Sequence, residues 1–473
     1  MNDENIVAIY QSKKTNYPEQ KSKLKSKLKK DHFKVTDNKK DHIYRCIESI
    51  FSLLKMDKDN SGSKKWNPLK NIIKIDDLVL IKPNLVGTQP KYMCKDCGPA
   101  ECVAVHGSII RPLVEYAYKA VGDGGRIIVA EAPMDITDFD EITKITGISQ
   151  IIKYLQSVKN IPVELLDLRK RFVERWTWKE KKLKGDPNGY LKVDLGSNSE
   201  FHGVSGTFQA ASAYGYDSQL PDKYHKKNHF YEIPKSVLMA NCIINVSKMK
   251  THNIAGVTLS LKNKVGITTQ KKWLPHHTKG GVKDGGDEYI DEPEKLSKRD
   301  LWVHKTSKIP LGKQILHLGA HLLYSTKYKN GYKATSISDG EWYGNDTAWR
   351  MVLDLNKILF YSDLKGNLKN NKQRKYLTII DGIIGGEGEG PIRCTPKKTG
   401  IIIGGYDPVA VDFETAKIMG FDPIKIPTIN NSSKLKKHTL GDHKASCVSN
   451  VDIKNLNLKF KPPFGWEGHI EIK

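Results

Sequence analysis

A chain of 473 residues is roughly three typical domains of about 150 residues, or one large α/β unit with insertions, which excludes a peptide-sized scaffold and a disulfide mini-protein. Hydrophobic residues make up 38% of it, enough for a sizeable core. The net charge of +24 points towards an acidic partner, but Lys, Asn and Ile are abundant together, as biased base composition alone can produce, so only charge focused on one surface is informative.

In chain order, IVAIY at 6–10 reads as a first strand. Residues 21–40 follow with nine Lys against two Asp, a local +7 that leaves +17 elsewhere. The KSKLKSKLKK run has too little apolar content to bury and reads as a solvated loop. From Asp41 to Met56 the apolar residues fall at helical spacing. DLVLIKPN is a strand ending near Lys82, Ser108 caps a helix, and RIIVAEAP is the next strand, which completes a βαβ unit. A helix around Ile142 to Leu155 leads to the strand VELLDLR. Residues 171–235 lose periodicity and read as an insertion, after which the buried strand in ANCIINVSKMKTH delivers a polar loop. GVTLSLKNKVGI is a short helix or turn, and 270–345 is a second insertion with a helix from Gly312 to Tyr324. A helix at 346–363 precedes YLTIIDGIIGGEGEGP and IIIGGYDPVAVDFETAKIMGF, read as strand, glycine loop, strand and helix. In the tail, VDIKNLNLKF suits an edge strand.

The expected fold is therefore α/β, a doubly wound, mostly parallel sheet with helices on both faces and two long insertions. The division is 1–75 (strand, Lys-rich loop and helix), 76–428 (the α/β core) and 429–473 (the tail). No run approaches the roughly eighteen apolar residues of a membrane helix, and the N-terminus lacks the order of a signal peptide, so a cytoplasmic protein without a membrane span is expected. Seven Cys in such a chain argue for core thiols or metal ligands rather than disulfides.

In an open α/β sheet, ligands bind beyond the carboxyl ends of the strands. Lys82 and Asn84 follow one strand, Glu131 the next, Lys248, Lys250 and His252 the INV strand, Asp381 the YLTII strand and Asp407 the IIIGG strand. KMKTH reads either as an anion clamp with His252 as acid, base or donor, or as a solvated basic loop. Lys262 and Asn263 either complete the clamp or form an exposed helix end. The glycine loop carries Asp381, Glu387 and Glu389 and lacks the P-loop pattern, so its acids suit a divalent metal, an ammonium or hydroxyl group, or the Lys cluster; the plain alternative is a tight turn. Asp407 before Pro408 is most simply a helix cap, with Asp412 in the first turns. Cys94, Cys97 and Cys102 give C-x2-C-x4-C, with Cys394 or His106 as a fourth ligand for zinc or an iron–sulfur cluster. His276 and His277 with Asp287 and Glu288 form a looser set, read as substrate contacts or exposed surface.

LVLIKPNLVG, INVSKMKTHNIAGVTLSLKNKVGI and DGIIGGEGEGPIRCTPKKTGIIIGGYDPVAVDFETAKIMGFDP together resemble the domain of unknown function 362 (DUF362) family, over residues 76–428. Some members of that family carry ferredoxin-like cysteine motifs; this chain has no such appended module, and its insertions look like those of the longer members. The resemblance implies no particular reaction. It singles out Lys82, Asn84, Lys248, Lys250, His252, Lys262, Asn263, Asp381, Glu387, Gly390, Asp407 and Asp412.

The expected function is an enzyme acting on an anionic small molecule with a carboxylate or phosphate group. Lys82, Lys248, Lys250 and Lys262 hold the anion, His252 moves a proton, and Asp381, Glu387 and Glu389 bind a divalent metal or act as base. The alternatives are an iron–sulfur redox protein on Cys94, Cys97, Cys102 and Cys394, and a non-catalytic binder of protein or, less favoured, nucleic acid.

Overall fold

The computed structural model describes residues 5–18, 40–87, 100–174, 179–211, 220–290, 312, 337 and 339–472. Nine strands among them form one sheet: β1 Ile6–Gln11, β2 Leu78–Pro83, β3 Arg126–Glu131, β4 Val163–Asp167, β5 Cys242–His252, β6 Gly256–Val257, β7 Lys375–Glu389, β8 Arg393–Gly405 and β9 Ser446–Ser449. Their order is β9-β1-β8-β7-β5-β2-β3-β4, with β6 hairpinned onto β5. The block β7-β5-β2-β3-β4 is parallel throughout, and β8 runs antiparallel to both of its neighbours, β7 and β1. The mostly parallel α/β sheet expected from the alternating pattern is thus present. Its inner strands β2 and β5 are buried at every position, as strands covered on both faces must be.

Helices α1 (His42–Leu53), α3 (Gly107–Val121) and α5 (Ile148–Ser157) cover one face, with the four-residue α2 (Ala100–Val103) and α4 (Phe139–Ile145) beside them. Ile47, Ile50, Ile109 and Leu113 from these helices share a core with Val79, Ile81, Ile127 and Ile244 of the strands. After the short α6 (Leu259–Lys262), α7 (Ala348–Tyr361) and α8 (Pro408–Met419) cover the other face. There Val352 and Leu355 meet Leu80, Ile128 and Ile243, while Val411 and Ala416 meet Ile401 and Ile403. Asp41 caps α1 by accepting from the Tyr44 amide at 2.8 Å. In α3 the cap is His106, two residues before the expected Ser108, its Nδ1 accepting from the Ser108 amide at 3.2 Å.

Several boundaries differ from the sequence reading. β1 pairs with β8 and β9, so the segments drawn at 1–75 and 429–473 both contribute to the central sheet. The edge strand is Ser446–Ser449, just ahead of VDIKNLNLKF. KMKTH is not a loop, because β5 continues through His252 with a register shift between Lys248 and Lys250. The glycine loop is likewise strand: β7 and β8 form one long hairpin that includes most of DGIIGGEGEG. Glycine in a strand marks close backbone approach. A Cβ on Gly386 would lie 2.5 Å from the Cys102 carbonyl oxygen, and one on Gly390 would lie 1.9 Å from that of Thr251. The 171–235 insertion forms short ribbons, while most of the expected helix from Gly312 to Tyr324 lies outside the described residues. No described helix is long and apolar enough to cross a membrane.

Candidate functional site

The chain winds from β2 to β3 and β4 on one side of the sheet and adds β5 and β7 on the other, so β2 and β5 flank the topological switch point where such sheets open a crevice. Lys82 and Asn84 stand at the end of β2, Glu131 ends β3, and Asn263 follows α6. The Lys82 Nζ donates to Glu131 Oε2 at 2.5 Å and to Asn263 Oδ1 at 3.1 Å. Asn84 Nδ2 donates to the same Oδ1 at 2.8 Å, while Asn263 Nδ2 donates to Asn245 Oδ1 at 2.8 Å. Burial pulls Lys82 down and pushes Glu131 up from their ordinary pKa values, against the attraction between them. Gly266 makes room for the pair, since a Cβ there would sit 1.7 Å from Glu131 Oε1 and 2.6 Å from Lys82 Nζ. Lys82 is therefore engaged by an acid rather than open to an anion. Asn84 Oδ1 is buried and lacks a hydrogen-bond partner among the described residues.

Because KMKTH is strand, Lys248, Lys250 and His252 alternate onto one face. Their partners separate them. Lys248 Nζ donates to Asp381 Oδ2 at 3.0 Å and to the Tyr17 hydroxyl at 2.6 Å, and that hydroxyl donates to Asp381 Oδ1 at 2.6 Å. Tyr17 stacks on His106 with ring centroids 4.3 Å apart. Lys248 and Asp381 thus form a fully buried ion pair, not half of a clamp and a free base. Among the described residues Lys250 Nζ donates only to carbonyls, those of Val103 at 2.6 Å and Pro391 at 3.0 Å. Burial first, against weak help from the Cys394 and Cys102 thiols, lowers its pKa to about 8.

Lys262 and His252 are the exceptional pair. Lys262 is 6% exposed and its ammonium has neither a hydrogen bond nor an ion pair among the described residues. Burial, then the Lys250 ammonium, lowers its pKa to about 7. His252 is 7% exposed, and its Nδ1 accepts from the Ile254 amide at 3.2 Å, which leaves the proton on Nε2 as a donor without a partner among the described residues. Burial, followed by Lys262, Lys250 and His276, holds its pKa well below the ordinary value. His276, whose Nδ1 donates to the Leu274 carbonyl at 2.9 Å, is held at about 3 by burial and then Lys262. Two lysines and two imidazoles thus act on one another here, and among the described residues none of Lys250, Lys262 and His252 pairs with a carboxylate.

The fold builds this crowd deliberately. Asp412 of α8 accepts from the Ser260 and Leu261 amides, both at 2.7 Å, and so fixes the turn that carries Lys262 and Asn263. Leu259 enters that turn at φ 43°, a left-handed conformation that a branched side chain adopts only under constraint. Asp407 caps α8, accepting from the Val409 and Ala410 amides at 2.8 and 3.1 Å. Both aspartates are therefore scaffold. A surface cavity of about 700 Å³ lined by Tyr10, Lys40, Arg45, Glu48, Tyr116 and Lys119 shares no residue with the cationic cluster.

The remaining expected residues lie elsewhere. Glu387 Oε2 accepts from Lys397 Nζ at 2.9 Å and from the Lys461 amide at 3.0 Å, and Glu389 accepts from the Phe464 amide at 2.7 Å. These acids brace the C-terminal segment against the hairpin. The Gly390 carbonyl accepts from the Asn253 amide at 3.0 Å. Cys94 and Cys97 lie outside the described residues. Cys102 and Cys394 do meet, with Cys102 Sγ 3.6 Å from the Cys394 carbonyl oxygen, and burial pushes their thiols up to about 11 and about 12. His276 and His277 are both buried, which removes the exposed-surface reading. Sequence reasoning missed Tyr17, Asn245 and Gly266, whose roles depend on contacts distant in the chain.

A Synechocystis protein (strain ATCC 27184 / PCC 6803 / Kazusa), named thylakoid-associated protein sll1697, is 37% identical over 59 residues, or 12% of this chain and 18% of that protein. The chain thus covers far less than two thirds of that relative. Residues 188–417 match the family described as Domain of unknown function (DUF362), a span that holds Lys248, Lys250, His252, Lys262, Asn263 and Asp381 and omits Lys82 and Asn84. Over that stretch the chain belongs to the DUF362 family.

Proposed function

We propose that the chain binds and acts on a small anion bearing a carboxylate or phosphate at the cluster of Lys250, Lys262, His252 and His276. The observation that carries this reading is Lys262, a residue only 6% exposed whose ammonium lacks any partner among the described residues. Drawing an unpaired charge largely out of water is unfavourable, and an anionic ligand is the simplest group to offset it. Lys262 and Lys250 supply positive charge, and His252 Nε2–H donates a hydrogen bond. As an anion binds, its charge favours the protonated lysines and raises the His252 pKa towards its ordinary range, where the ring can exchange a proton.

Anion affinity should be highest below pH 7 and fall as Lys262, at about 7, and then Lys250, at about 8, lose their protons. The direct test is a thermal-shift series with inorganic phosphate, oxalate and succinate on wild type and Lys262→Met. A ligand at one hundred times its Kd stabilises by about 2.7 kcal/mol, expected for wild type only. Equal responses in the two proteins, or none in either, would overturn the reading.

A second reading, a metal or iron–sulfur centre on Cys94, Cys97, Cys102 and Cys394, draws support from the approach of Cys102 to Cys394. Protein purified without oxygen should then carry iron and labile sulfide; colourless, iron-free protein refutes an iron–sulfur cluster. A cytoplasmic setting belongs to the proposal, with the relative's thylakoid association as its rival, and cell fractionation separates the two.

A further inference from the structure

We propose that His277, Glu288 and Asp339 hold a divalent metal ion, at a site distinct from the anion cluster and independent of it. Each contributes a potential ligand atom, and the three atoms lie within 4.8 Å of one another. His277 is 1% exposed, and neither ring nitrogen has a hydrogen-bond partner among the described residues. A neutral imidazole has one donor and one acceptor, and leaving them unmet in the interior costs about 1–3 kcal/mol each. A metal ion takes up the lone pair.

The spacing suits an ion better than a direct contact. His277 Nε2 stands 3.9 Å from Glu288 Oε1, too far for a hydrogen bond. Two ligands each about 2.0–2.1 Å from one zinc ion are separated by roughly 3–4 Å. Two carboxylates and a neutral imidazole carry two negative charges, the complement of a divalent ion. One nitrogen and two oxygens favour a borderline ion such as zinc, and admit manganese, over a purely oxygen-bound ion such as calcium.

The surrounding backbone holds the ligands in place without a metal. Glu288 Oε2 accepts from the Gly280 amide at 3.1 Å, which anchors the carboxylate whose Oε1 lies 3.9 Å from His277 Nε2. The Gly340 amide donates to the Glu288 carbonyl at 2.9 Å, which brings Asp339 alongside. Gly340, at φ 73°, packs so closely that a Cβ there would lie 2.9 Å from the His277 Cβ. Asp287 is occupied by the Thr278 and Asp346 amides and the Thr347 hydroxyl, so it does not compete for the ion. The ion would fasten the segment after Asp339 to the ribbon of His277 and Thr278.

The test uses the untagged full chain, stripped with chelator and dialysed against zinc chloride or manganese chloride, with bound metal measured by mass spectrometry. Wild type should hold about one equivalent, and His277→Ala should bind it at least about tenfold more weakly. Asp339→Asn, at a partly exposed position, should do the same while keeping the fold. Lys262→Met should bind the metal as wild type does, so failure of the anion reading leaves this result untouched. Cobalt in place of zinc should give no thiolate charge-transfer band. The proposal falls if wild type retains no metal, if both ligand variants retain it, or if cobalt reports cysteine ligation.

Discussion

Replacing Lys262 by Met keeps most of the side-chain length while removing an ammonium that sits on a largely buried residue with no partner among the described residues. In the native chain its pKa falls from 10.5 to about 7. Between those values the unfolded chain binds more protons than the native one, so wild-type stability rises with pH. The penalty is complete below about pH 7 and vanishes above about 10.5. At about 1.36 kcal/mol per pH unit it amounts to roughly 5 kcal/mol. A one-step transition of 473 residues carries roughly 1 kcal/mol/K of unfolding entropy, so the variant should melt about 5 °C above wild type at pH 6. The gap should shrink to under about 1 °C by pH 10. Calorimetry of both proteins across that range, in a buffer of uncharged components and bulky amines, is the assay. Parallel pH profiles would show that water or an unseen acid already serves Lys262, and the reasoning behind the anion site would fail.

Three further outcomes test the scaffold. Gly266→Ala places a methyl group where the Glu131 and Lys82 head groups now meet, so it should cost about 3–5 kcal/mol, the price of breaking a buried pair, measured by urea denaturation. Lys82→Met alone should destabilise by a similar amount, whereas Lys82→Met with Glu131→Leu should recover most of the loss; an unrecovered double variant contradicts the pairing. Asp407→Ala should cost about 1 kcal/mol through the lost cap and leave the phosphate-induced thermal shift unchanged, since Asp407 serves α8 rather than the ligand.

How much of this was legible in the sequence follows from the range of each interaction. The parallel core was legible because strands buried on both faces are continuous apolar runs, as in LVLI and CIINV. Asp407 before Pro408 is a local signal, and it caps its helix as read. KMKTH was misread as a loop because its residues are polar, yet the alternation K-x-K-x-H is itself a strand period. The glycine-rich hairpin misled in the same way: its glycines serve close approach of Met249, Cys102 and Thr251, contacts that local composition does not encode. Charge was the least legible property. Lys82, Lys248 and Lys262 look alike in the chain, and only the positions of Glu131 and Asp381 show which lysines are already paired.

The central claim is that an anion sits among Lys250, Lys262 and His252. Crystals of the full chain grown at pH 6 with selenate, a heavy analogue of sulfate, would place it directly through an anomalous difference map. A peak within hydrogen-bonding distance of Lys262 Nζ and His252 Nε2, lost in Lys262→Met, is the predicted result. Selenate bound only at other surfaces, with Lys262 turned to water, would contradict the account.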